Sequence, residues 1–186
     1  FNGFLNFLFL ESSFFQIAPV NHSISKYNKA IELWGVDSDY ATYQIALAYH
    51  QMDKHEKVVE QLSDFSSKYV SSTYKDDALF RMGESFIRLN KHDLAIQNFK
   101  SIEELYSSSV FIANARMKVG LILYNTEKFE ESILEFKRLV DDYPATSTAR
   151  EAINNARSVY VDLGDVATYA NWLETLSFVT LSSPII

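Results

Sequence analysis

Four alanines stand 37 residues apart, at Ala41, Ala78, Ala115 and Ala152. A shift of 37 aligns further columns: Ala46 with Gly83 and Gly120; Tyr49 with Phe86, Leu123 and Tyr160; Leu62 with Phe99, Phe136 and Leu173; Phe65 with Ile102, Leu139 and Leu176. Tyr69, Tyr106 and Tyr143 close successive units. A fixed period in this range is the mark of a repeat array, in which each unit is too small to bury its apolar face alone and stacks on its neighbours. Arrays of this kind offer extended surfaces for binding.

The helical pattern inside each period is explicit. Residues 40–51 place Ala41, Ile45, Ala48 and Tyr49 on one stripe, continued by Met52, and a polar turn at Asp53-Lys54-His55-Glu56 follows. A second helix is expected over residues 57–68, with Val58, Val59, Leu62 and Phe65 on one face. Ser72 or Thr73 then caps the next helix. The plan repeats as helices over 75–89 and 94–106, then 110–125 and 129–142, then 147–163 and 166–176. Pro144 stops one helix, and Gly164 occupies a turn where positive φ is expected. Residues 25–34 read as the second helix of a preceding, out-of-register unit. The small residues at the alanine columns, with Ala46, Gly83 and Gly120, let two helices approach closely. Glycine inside a helix costs about 1 kcal/mol against alanine, so its recurrence at one place points to tight packing there.

Composition agrees and excludes several classes. Three prolines and five glycines in 186 residues suit a mostly helical chain, and a hydrophobic content of 47% excludes a disordered one. A net charge of −7 opposes non-specific nucleic-acid binding. With no cysteine, thiolate metal sites, cysteine nucleophiles and disulfides are excluded. The opening FNGFLNFLFL is apolar but too short to span a bilayer, and it lacks the parts of an intact signal peptide. The tail SFVTLSSPII has no helical period. The organisation expected is therefore an atypical segment over 1–23, an array over 24–177 with units at about 39–75, 76–112, 113–149 and 150–177, and a non-repeat tail over 178–186. Both ends read as cuts from a longer protein.

The columns resemble the tetratricopeptide repeat, two antiparallel helices with the pattern W-x2-L-G-x2-Y, A-x3-F and P. Leu79, Met82-Gly83, Phe86, Ala95, Phe99 and Ile102 carry it in one unit; Val119-Gly120, Leu123, Ser132, Phe136, Leu139 and Pro144 carry it in the next. Val58, Ser132 and Tyr169 stand where the family prefers alanine, and Val70 and Ser107 where it prefers proline. The usual repeat has 34 residues, so each unit here is three longer. This longer form, with Tyr143-Pro144-Ala145-Thr146, resembles a periplasmic branch that includes an outer-membrane assembly lipoprotein and a cell-division coordinator. The strings YATYQIALAY and AREAINNARSVYVDLGDVATYANWLETL resemble large multi-repeat proteins of Bacteroidetes. The resemblance implies an all-α fold, a right-handed superhelix (solenoid) of antiparallel helix pairs. It also implies a periplasmic or outer-membrane-associated setting.

Catalytic and metal-binding readings are weak. His55 and His92 hold matching turn positions where the next unit has Phe129, so they read as packing substitutes for an aromatic ring. His50 and His55 are five apart, which does not place two ligands on one helical face, and His22 is isolated. Asp76-Asp77, Glu103-Glu104, Glu130-Glu131 and Asp141-Asp142 are adjacent pairs that point apart on a helix; solvated faces and helix N-termini account for most of them. Ser71-Ser72 and Ser107-Ser108-Ser109 lack a His or Asp partner and read as caps. No glycine-rich phosphate loop and no basic aromatic cluster is present.

What remains is the concave groove that the resemblance assigns to the first helix of each unit. Its expected residues are Tyr40, Tyr43, Leu47, His50, Asp77, Phe80, Glu84, Ile87, Arg88, Met117, Leu121 and Tyr124. Aromatic residues at helical spacing favour a peptide or partner helix as ligand. The lysine and asparagine clamp with which some family members hold acidic tails is replaced here by Tyr43, Leu47, Phe80 and Glu84. The expected function is a non-enzymatic protein–protein interaction scaffold in cell-envelope assembly, without metal or cofactor. Spacer repeats within a larger protein, or repeats appended to an enzyme, are the alternatives.

Overall fold

A computed structural model describes residues 20–34 and 38–179. Residues 1–19 of the atypical opening and 180–186 of the tail lie outside the described residues. The described chain is all-α: α1 (Val20–Trp34), α2 (Ser38–Gln51), α3 (His55–Leu62), α4 (Phe65–Lys68), α5 (Lys75–Arg88), α6 (His92–Leu105), α7 (Ile112–Asn125), α8 (Phe129–Asp142), α9 (Ser147–Asp162) and α10 (Val166–Glu174). It divides into an N-terminal part, residues 1–95, and a C-terminal part, residues 96–186.

In the N-terminal part α1 packs on α2, burying Ile24 and Tyr27 against Ala41, Ile45 and Ala48. A second cluster joins Tyr43 and Ala46 of α2 to Val58, Leu62, Phe65 and Ala78. The helix expected over 57–68 is two helices, broken at Ser63-Asp64. The Ser63 hydroxyl donates to the Glu60 carbonyl and the Ser67 hydroxyl to the Asp64 carbonyl, so side chains compete with the helical ladder there. Phe65 stays fully buried, and the apolar face survives the break.

In the C-terminal part α7, α8, α9 and α10 share one core. Phe136, Leu139 and Val140 of α8 meet Ala149, Ala152, Ile153 and Ala156 of α9. Gly120 shows why a small residue recurs. A Cβ added there would lie 2.5 Å from Phe136 Cε1 and 2.9 Å from Cδ1 and Cζ. Ser132, in an alanine column of the family, is buried and donates its hydroxyl to the Gly120 carbonyl at 2.8 Å. The serine thus ties the two helices at the point where they come closest.

Turn geometry repeats with the same period. Asp53, Asn90, Glu127 and Gly164 all have positive φ (54°, 56°, 60° and 71°), and each sits 37 residues after the last. Each ends a first helix in a Schellman motif: the N–H of the following residue bonds back five residues, Lys54 to Tyr49, Lys91 to Phe86, Lys128 to Leu123 and Asp165 to Tyr160. The inter-unit loops repeat too. The Ser72 hydroxyl accepts from the Tyr74 N–H, the Ser109 hydroxyl from Phe111, and Thr146 from Ala149. Ser72 and Ser109 therefore order the loop ahead of the helix rather than capping its first turn, and of these three Thr146 alone is an N-cap.

The fourth unit departs from the columns. Leu173 and Leu176 are only partly buried; Tyr169 and Trp172 fill the core instead. Exposed Arg157 stands in the column of Gly83 and Gly120, so this pair lacks the notch into which Phe136 fits one unit earlier. Tyr169 packs against Tyr160 with ring centroids 5.8 Å apart, and Lys137 Nζ lies 5.3 Å from the Trp172 ring. Phe178 and Val179, placed in the tail by sequence, pack on this core.

Candidate functional site

The N-terminal part brings α2 and α5, first helices of successive units, side by side. The Tyr43 ring stacks on Tyr74 with centroids 5.3 Å apart and planes at 13°. Tyr40 flanks Tyr74 at 5.8 Å and meets Tyr27 edge-on at 6.3 Å. A polar chain runs beside these rings: Arg81 Nη1 donates to Glu84 Oε2 at 3.0 Å, Arg81 Nε lies 3.4 Å from Asp77 Oδ1, and His50 Nε2 lies 3.8 Å from Glu84 Oε2. Burial pushes the Tyr43 phenol well above its ordinary range, and the Asp77 carboxylate adds to the effect. Burial lowers the His50 pKa, opposed by Glu84 and assisted by His55, Arg81 and Arg88.

Of the residues expected here, Tyr43 and Phe80 are buried, and they serve the core before any ligand. Tyr40, Leu47, His50, Asp77, Glu84 and Ile87 are partly exposed, and Arg88 is exposed. His55 is buried, with Nδ1 3.4 Å from Ser85 Oγ and its ring edge-on to His50 at 5.3 Å, as a packing residue would be. His92 is partly exposed.

In the C-terminal part α7 and α9 pair in the same way. Met117 is buried, with its Sδ accepting from Asn155 Nδ2 at 3.3 Å; Leu121 and Tyr124 are partly exposed. The Tyr124 hydroxyl donates to an Asp162 oxygen, which raises the phenol's pKa. A cleft of about 570 Å3 opens here, lined by Tyr124, Asn154, Arg157, Ser158, Val161 and Asp162. Five of these six belong to the fourth unit and were missed, although Asn154, Ser158 and Val161 follow from adding 37 to Met117, Leu121 and Tyr124.

A second cleft of about 440 Å3 lies among α6, α7 and α8, around Arg116. Buried Arg116 holds the Glu103 carboxylate with Nε and Nη2 and the Asp142 carboxylate with Nη1. The hydrogen bond from Arg116 lowers the Glu103 pKa, so this carboxylate stays ionised and is unsuited to donating a proton near neutral pH. Glu103 and Asp142 are thus ion-pair partners within the fold, while Asp142 also stays exposed and Glu103 partly exposed, as solvated faces would be. Among the described residues no three His, Asp or Glu side chains gather to hold a metal ion, and no helix is long and apolar enough to cross a membrane.

Comparison with known proteins agrees with this geometry. A family model described as tetratricopeptide repeat matches residues 77–109. No curated protein matches the sequence. Among solved structures the chain is similar to MamA (residues 41 to the end) from Desulfovibrio magneticus RS-1, with TM-score 0.69, 14% identity, and 90% of this chain and 89% of that one covered. It is similar to YrrB, described as a TPR protein with an unusual peptide-binding site, with TM-score 0.65, 19% identity, and 92% and 81% covered. It is also similar to a tetratricopeptide repeat protein from Parabacteroides merdae, with TM-score 0.58, 18% identity, and 84% and 57% covered. At these identities the likeness concerns the fold: this chain has the all-α, paired-helix fold of tetratricopeptide solenoids.

Proposed function

We propose that this chain is a non-enzymatic interaction scaffold that captures a peptide or partner helix on the faces formed by its first helices. One observation carries the reading. The matched positions 47 and 84, 50 and 87 in the N-terminal part, and 121 and 158, 124 and 161 in the C-terminal part, all come onto paired first helices with side chains partly or fully exposed. Apolar, aromatic and charged groups alternate on those faces, the mixture that protein interfaces use. The repeat family and the peptide-binding description of one structural neighbour support the same reading.

The test uses Ile87→Glu with Val161→Glu, two matched positions that leave the cores intact, against Leu134→Glu, an exposed control on a second helix. Partner capture by the purified full chain is expected to fall at least tenfold in the first variant and to persist in the control. Equal capture by both would remove the first-helix faces from the account. Tyr43→Ala with Phe80→Ala is a poor test, because both side chains are buried. The setting proposed is the Gram-negative cell envelope, on the resemblance of the 37-residue form. Osmotic-shock fractionation of the tagged full-length protein tests it, and recovery in the spheroplast cytosol counts against it.

A further inference from the structure

The cleft between α7 and α9 carries separated, unanswered charges. Arg157 is exposed and, like Arg88 and Arg150, makes no ion pair among the described residues, whereas Arg81, Arg116 and Arg138 each face a carboxylate. Asp162 receives the Tyr124 hydroxyl but, among the described residues, no cation. Five positions separate Arg157 from Asp162, about 7.5 Å along the helix axis and about 140° around it, so the two charges flank the cleft face of α9 on opposite sides. Between the charges lie the Asn154 amide and Ser158 hydroxyl, which both donate and accept, while Val161 supplies an apolar wall.

We propose that this cleft binds an extended protein segment that carries both an acidic and a basic side chain, the acid on Arg157 and the base on Asp162. Asn154 and Ser158 meet the segment's main chain, whose N–H and C=O groups an extended backbone leaves open. A purely acidic segment satisfies Arg157 but meets repulsion at Asp162; a purely basic one does the reverse. The charge pattern therefore selects a bipolar segment and rejects both single-sign kinds. This inference rests on the interaction-scaffold reading and adds the partner's chemistry.

The experiment pans a random twelve-residue peptide library on the full chain, then measures a selected peptide by fluorescence anisotropy against charge-reversal variants. Selected peptides are expected to carry both an acid and a base. Arg157→Glu and Asp162→Lys should each weaken binding by about tenfold, and the double variant should prefer the peptide with its two charges exchanged. Both side chains are exposed, and circular dichroism checks that the variants keep the wild-type helix content. Selected peptides that carry charge of one sign only, or none, overturn the inference. So does binding that survives both reversals but is lost in Ile87→Glu, and that second pattern leaves the scaffold reading standing. A library that yields no binder counts against both.

Discussion

Gly120→Ala decides whether close helix approach is what the small column serves. In an unconstrained helix this change stabilises by about 1 kcal/mol, because alanine is the better helix former. Here the added Cβ would sit 2.5 Å from Phe136 Cε1, against a normal carbon–carbon contact of about 3.5–4.0 Å. The ring cannot swing aside easily, since Phe136 is fully buried among Leu139, Val140, Ala152 and Ala156. Separating α7 from α8 instead would stretch the 2.8 Å bond from Ser132 to the Gly120 carbonyl. Overpacking of this kind costs about 1–3 kcal/mol against a propensity gain of about 1 kcal/mol, so a net loss of up to about 2 kcal/mol is expected. Urea unfolding followed by circular dichroism reads it as a lower midpoint at unchanged slope. Phe136→Leu supplies the second arm: in the double variant the smaller side chain accepts the methyl group, and the two losses are less than additive. A stabilised Gly120→Ala, or strictly additive losses, would refute the packing argument.

Other expectations follow from the turns and charges. Glu127 sits at φ 60° with a full side chain, so Glu127→Gly should stabilise by about 0.5–1 kcal/mol, seen as a small rise in thermal midpoint; no gain would mean the turn is relaxed with glutamate. Arg116→Met strips Glu103 and Asp142 of their partner and should cost about 1–3 kcal/mol in urea unfolding, below the range for a fully buried pair because both carboxylates are partly exposed. The Glu103 pKa is depressed from 4.5, so its stabilisation is present above that value and lost as pH falls below it; Arg116→Met should flatten this acid limb. The His50 pKa is lowered from 6.5, so its contribution has the opposite origin: stability is full above pH 6.5 and falls as pH drops toward the folded value, and His50→Gln should remove that slope below pH 6.5.

Much of this fold was legible because repetition multiplies weak signals. The helix over 129–142 and the alanine columns came directly from period and stripe, and Ala41, Ala78, Ala115 and Ala152 are all buried. The left-handed turns were half legible. Gly164 announced one, while Glu127 carries no local signal and was reachable only by subtracting 37 from Gly164. The break at Ser63-Asp64 was missed because the apolar stripe runs through it to Phe65. The Arg116 pairs were illegible for a different reason, since Glu103 and Asp142 lie 13 and 26 residues away along the chain. In the fourth unit Arg157 in a glycine column was the visible warning that Tyr169 and Trp172, not Leu173, would fill the core.

The central claim is that the first-helix faces bind a protein segment. Amide and side-chain NMR shifts of the full chain, titrated with a library-selected peptide, test it most directly. The account predicts perturbations concentrated on first helices, on α7 and α9 at positions such as Leu121, Tyr124 and Ser158, or on α2 and α5 at positions such as Leu47 and Ile87. Perturbations confined to α3, α6 or α8 would contradict it.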